Sequence, residues 1–141
     1  QKMVFWKQWV EVHSNIWALI VCHRFMTETD YEAHLERLRG IYRRKSSVLI
    51  KALEEHFAPL ITWSPFEGGL FAWCTLPENV DMLDFVRRAA ERKVCVVPGT
   101  AFLTDESESC RSFRINFSTP TDEQLSEGVK VLGETAREMA R

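Results

Sequence analysis

Residues 112–132 read SFRINFSTPTDEQLSEGVKVL, and their pattern decides the fold. Within 112–118 apolar and polar residues alternate: Phe113, Ile115 and Phe117 face one way, Arg114 and Asn116 the other. A period of two describes a strand with one buried face. Then the period changes. Thr121-x-x-Gln124 has the form of a capping box. Beyond it Leu125, Val129, Leu132, Ala136 and Met139 recur at steps of four, three, four and three. That is the stripe of an amphipathic helix.

Working outward from this end, residues 94–97 form a short apolar run ending at Pro98-Gly99, as expected of a buried strand, with Cys95 as a small core residue. Residues 104–110 are polar and acidic, a surface loop. Residues 61–64 and 70–76 are rich in β-branched and aromatic side chains and flank Pro65-Phe66-Glu67-Gly68-Gly69. They read as a hairpin or bulged pair. Trp63, Phe71 and Trp73 are expected in the core, because strand aromatics most often pack. Asp81 can cap a helix over 82–92 that buries Leu83, Val86, Ala89 and Ala90.

A longer helix starts at Thr29 or Asp30, where Thr29-x-x-Glu32 can form a capping box. Tyr31, Leu35, Leu38, Tyr42, Leu49, Leu53 and Phe57 make its stripe, broken once by Lys45, and it stops ahead of Pro59. Residues 2–26 hold neither Gly nor Pro and predict one further helix. Its apolar side chains, Trp6, Trp9, Trp17, Ile20 and Phe25 among them, point in nearly every direction. A helix apolar all round is buried on several sides. The rest of the chain is too small to cover it, so part of it is expected to pack on protein outside this sequence. The order α-α-β-β-α-β-β-α predicts an α+β domain. Its small mixed or antiparallel sheet has about four strands with helices packed on it, behind a long apolar helix.

The 141 residues fit one domain, and 18 basic against 20 acidic side chains leave a net charge of -2. No electrostatic footprint for nucleic acid or for a membrane surface results. Cys22, Cys74, Cys95 and Cys110 show no paired spacing, which suits reduced thiols in a cytoplasmic protein. No apolar run approaches the roughly 18–20 residues of a membrane span. A start at Gln1 rather than Met suggests a fragment or a processed chain. His13, His23, His34 and His56 lack metal-ligand spacing, and no nucleophile elbow or phosphate loop is present.

One residue is odd. Arg114 sits in the middle of a strand whose other face is wholly apolar. An arginine on the wet face of an edge strand accounts for it simply. Its planar fork can also hold a carboxylate through two parallel hydrogen bonds, and a strand is a rigid base for such a clamp.

Taken in order, YEAHLERLRGIYRRKSSVLIKALEEHF, WSPFEGGLFAWCTLP, VCVVPGTAF and SFRINFSTPTDEQLSEGVKVL resemble the C-terminal part of class I/II aminotransferases. These are fold-type I, pyridoxal-phosphate-dependent enzymes. The resemblance is to the branch holding 2-aminoadipate and kynurenine aminotransferases and the aminotransferase-like domains of GntR-type regulators. It runs from about Lys7 to the end of the chain.

The resemblance implies that Arg114, within Phe113-Arg114-Ile115-Asn116-Phe117, binds the α-carboxylate of an amino-acid substrate. It places Asn116, the Gly68-Gly69 turn and Pro98-Gly99 near the mouth of the site. Relatives often have a glycine where this chain has Lys93. The family's Schiff-base lysine lies in a Ser-rich motif upstream of all the matched blocks, so no catalytic residue is expected here. Pyridoxal 5'-phosphate is expected in the full-length protein, and not stably on this chain alone, which is expected to be inactive by itself. Residues 1–28 would then join a large domain to a small domain of residues 29–141, in a cytoplasmic homodimer acting on amino acids and 2-oxo acids. The effector-binding part of a GntR-type regulator is the alternative, and a non-catalytic scaffold a third.

Overall fold

The computed structural model describes residues 2–11, 14–105 and 108–141. Expectations that fall on Gln1, Val12, His13, Glu106 and Ser107 lie outside the described residues. The elements are α1 (Lys2–Val10), α2 (Ile16–Glu28), α3 (Tyr31–His56), β1 (Thr62–Trp63), β2 (Phe71–Thr75), α4 (Met82–Glu91), β3 (Val97–Pro98), β4 (Ser112–Asn116) and α5 (Asp122–Met139). A 3-10 helix, Gly99–Phe102, follows β3. The chain divides into two compact units, residues 1–40 and 41–141.

In the first unit the single helix expected over 2–26 is two helices. Asn15 has a non-helical backbone and its side chain accepts from the Ala18 amide, so a new helix begins at Ile16. The Ser14-Asn15 pair carried this signal, since both residues favour caps over helix interiors. Neither α1 nor α2 contains a buried residue. The start of α3 is capped by Asp30, which accepts from the Ala33 amide at 3.0 Å. Thr29 does not act as that cap. Its hydroxyl donates back to the Phe25 carbonyl, closing α2 instead. Phe25 then stands edge-on to Tyr31 and to His34 at 6.1 and 5.1 Å.

The second unit holds the core. Its sheet runs β1-β2-β4-β3, every neighbour antiparallel. The register pairs Trp73 with Arg114 and Cys74 with Phe113. That register turns Ala72, Cys74, Phe113, Ile115 and Phe117 inward. Leu49, Leu53 and Phe57 from the α3 end, Phe85 from α4, and Leu125, Val129, Leu132 and Ala136 from α5 meet them. Full burial of a Leu or Phe side chain contributes about 1.5–3 kcal/mol, so this one cluster carries the apolar stabilisation of the unit. The capping box of Thr121 and Gln124 is present in both directions. Lys45, the break in the α3 stripe, donates to the Pro120 carbonyl just ahead of α5.

Three expectations about packing are corrected. Asp81 does cap α4, accepting from the Asp84 amide at 2.7 Å, but the buried face is Met82, Phe85 and Ala89. Leu83 is 60% exposed and Ala90 is also exposed, because they sit on the side of the helix turned from the sheet. The run 94–97 contributes only Val97 to a strand, and Cys95 is exposed rather than core. Here the chain is leaving the left-handed turn at Lys93 (φ 64), so it joins the sheet late. Phe71 and Trp73 are not core residues either. Ala72 and Cys74 take the inward positions of β2, and strand parity turns the two aromatics to the opposite face. Trp63 does pack against the core.

Candidate carboxylate-binding site

That outward face carries Arg114. β4 lies between β2 and β3, so Arg114 is flanked by Trp73 on one side and Val97 on the other. Its guanidinium carbon stands over the Phe71 ring at 4.0 Å from the centroid and over the Phe102 ring at 4.8 Å. Phe102 is braced in turn by Trp73, edge-on at 5.4 Å. The Nε of Arg114 is shut off from solvent and has no hydrogen-bond partner. The two Nη atoms are not buried, and the side chain enters no ion pair or hydrogen bond among the described residues. A fixed cation with an open fork and no counter-ion is a ready receptor for a planar anion.

The other predicted residues divide by what they do. Pro98 pairs with Phe113 in the sheet. Gly99 is buried, and a Cβ there would stand 2.4 Å from the Ser112 carbonyl oxygen and 2.5 Å from the Cys110 sulfur. Only glycine lets the chain pass so close to β4, and that passage delivers Phe102 to Arg114. Gly69 has φ +86, the left-handed turn that leads into β2 two residues before Phe71. Asn116 pairs with Phe71 in the register. Its side-chain oxygen accepts from the amide and hydroxyl of Ser118, both at 2.7 Å, closing the strand with a local turn.

Sequence reading missed Phe71, Trp73 and Phe102 as parts of this face. Residues 70–76 are nearly all apolar, so their alternation does not say which parity faces the core. The signal was indirect: β4 shows its parity openly, and a strand paired with it antiparallel must share that parity across each pair. Elsewhere, burial pushes the Cys74 thiol up to about 12. Among the described residues no cluster of His, Cys, Asp and Glu is arranged to hold a metal, and no helix is long and apolar enough to cross a membrane.

Comparison with known proteins bears on the family of the chain. Residues 9–132 match the family "Aminotransferase class I and II". Aromatic-amino-acid aminotransferase 1 of Thermococcus litoralis is 30% identical over 138 residues, 98% of this chain and 33% of that protein. The HTH-type transcriptional regulator YjiR of Escherichia coli is 32% identical over 111 residues, 78% of this chain and 23% of the regulator. The crystal structure of kynurenine aminotransferase from Pyrococcus horikoshii, in complex with PMP, superposes with a TM-score of 0.89 at 31% identity. It covers 99% of this chain and 34% of the enzyme. The chain thus spans about a third of the length of the aminotransferases it matches. With its family model matched across most of its length, the chain belongs to the class I and II aminotransferases.

Proposed function

We propose that this chain is the small-domain part of a pyridoxal-phosphate-dependent aminotransferase, in which Arg114 binds the α-carboxylate of the amino-acid substrate. The observation that carries the reading is the state of Arg114: its guanidinium lies over two rings, with Nε buried and no partner for its open Nη end. On this reading residues 1–28 join the large domain to residues 29–141, and the full-length protein is a cytoplasmic homodimer. Support for the reaction class comes from the family match and from the complex of the Pyrococcus horikoshii enzyme with PMP, kynurenine and its product.

The residues of this chain do not fit the cofactor itself. Lys2, Lys7, Lys45, Lys51 and Lys130 sit on helices and Lys93 just beyond one, so none lies on the sheet face that carries Arg114. A pyridoxal site requires a lysine and an acidic partner for the ring nitrogen in one shaped pocket. What this chain supplies is the anchor for the substrate. The two Nη–H groups donate in parallel to the two carboxylate oxygens, which fixes both the position and the rotation of the amino acid. The chain by itself is inactive on this reading.

The test is made in the full-length protein. Hydrogen bonds to charged groups contribute about 1.5–3 kcal/mol each, so Arg114→Ala lowers kcat/KM for amino acids by roughly a hundredfold or more. Arg114→Lys keeps the charge without the fork and falls between. An equal loss on amines that lack a carboxylate would make Arg114 structural. The second reading, the effector-binding part of a transcription regulator, is favoured by the 32% identity to YjiR. A DNA-binding segment ahead of the large domain in the parent reading frame decides for it.

A further inference from the structure

We propose that Phe71 and Phe102 are positioning residues for Arg114: their rings hold the guanidinium so that only its Nη end faces the substrate. The proposal rests on the carboxylate reading above and extends it to residues that touch the arginine rather than the reacting atoms. Phe71 comes from β2 and Phe102 from the 3-10 helix after β3, the strands on the two sides of β4. Their centroids stand 4.0 and 4.8 Å from the guanidinium carbon, within the range where a cation is attracted to the face of a ring.

An arginine side chain free in water gives up much rotamer freedom when it binds a ligand. Ring contacts made beforehand remove that cost from the binding step. They also leave the cation charged without a carboxylate neighbour. A protein carboxylate at this place would hold the side chain as firmly, but it would occupy the fork the substrate needs. Aromatic rings hold the cation by its face and leave the in-plane donors free. Phe102 reaches the arginine only because Gly99 allows the chain to pass the Ser112 carbonyl, and Trp73 braces it there. Nε is buried with no partner, so the end of the fork formed by the two Nη atoms is the side on offer.

The experiment uses the full-length protein and compares an amino acid with the corresponding amine lacking its carboxylate. Phe102→Leu and Phe71→Leu keep apolar bulk and remove the ring face. Both residues are partly exposed (48% and 40%), so neither anchors the core. Each variant should lower the ratio of kcat/KM for the amino acid over the amine by about three- to thirtyfold, the span of one cation–ring contact. The loss should appear mainly in KM, and Phe102→Tyr should restore the ratio. Equal losses on both substrates, or an unchanged ratio in both Leu variants while Arg114→Ala still collapses it, would overturn the positioning role and leave the carboxylate reading standing. An unchanged ratio in Arg114→Ala would overturn both. Added guanidinium ion provides a second readout. At a concentration too low to denature, it should restore amino-acid turnover to Arg114→Ala, and not to Arg114→Ala combined with Phe102→Leu. Equal rescue in the two would also overturn the proposal.

Discussion

Lys93 occupies a left-handed backbone position, φ 64, directly after α4. Its amide closes on the Ala90 carbonyl and that of Val94 on Ala89, which is how a helix ends when the next residue reverses hand. A side chain at such an angle crowds the following carbonyl, at about 1–2 kcal/mol, against about 0.5–1 kcal/mol of extra chain freedom for glycine in the unfolded state. Lys93→Gly is therefore expected to stabilise the protein by about 0.5–1 kcal/mol, read as a higher urea midpoint at constant slope. Cys74 makes a pH prediction. Burial raises its thiol from 9.0 to about 12, so above pH 9.0 the unfolded chain releases a proton that the folded chain keeps. The contribution is intact below pH 9.0 and falls as pH rises toward 12, with a slope of about 1.4 kcal/mol per pH unit. Urea titrations across that window should show a steeper alkaline loss for the wild type than for Cys74→Ala. Parallel curves would show that the thiol titrates alike in both states.

At the scale of elements, the join of α5 to the end of α3 tolerates no extra atom. A Cβ on Gly133 would stand 2.3 Å from the His56 carbonyl oxygen, a backbone group that has no rotamer to yield. Arg137 also donates to that same carbonyl. Gly133→Ala, ordinarily favourable in a helix, is expected to cost about 1–3 kcal/mol through overpacking. In the same helix Gly128 has only the end of Val94 near it, 3.9 Å away, so Gly128→Ala should be neutral or stabilising by up to about 1 kcal/mol. Paired thermal unfolding of the two variants checks this, and matching shifts would refute it. The capping box of α5 and the Asp81 cap of α4 were legible in the sequence, because a cap is a local affair of three or four residues. The break between α1 and α2 was equally local and rested on Asn15. The absence of Gly and Pro over residues 2–26 outweighed it in the reading, though their absence alone does not hold a helix together.

At the scale of the molecule, the apolar surface is divided unevenly. The 41–141 unit gathers a buried core and leaves Phe71, Leu83 and Phe102 among its partly open apolar side chains. In α1 and α2, Trp6, Trp9 and Trp17 are 67%, 75% and 78% exposed, with Phe5 and Ile16 also largely open. Exposed apolar side chains of this size and number are the kind that contact other protein. The isolated chain is expected to associate, and sedimentation at roughly tens of micromolar, a range that reads ordinary interface affinities, should show dimers or larger species. Changing Trp6 and Trp9 to Ser should shift the chain toward monomer and leave the circular dichroism of the strand-rich part unaltered. A wild-type monomer with α1 ordered would refute this.

The sequence by itself determined whatever depends on near neighbours along the chain. It showed the alternation of β4 with Arg114 outward, the α5 stripe and its cap, the hairpin around Gly68-Gly69, and the family to which the blocks belong. Tertiary structure decided what surrounds Arg114. Phe71 and Phe102 lie 43 and 12 positions away from it in the chain, and nothing local marks either as its neighbour. The same holds for the inward face of β2 and α4, where apolar residues stand on both sides and only pairing with β4 and packing on the sheet choose between them. Local preference acts through bonds and hydrogen bonds a few residues long, whereas register is set by burying one face at the expense of the other.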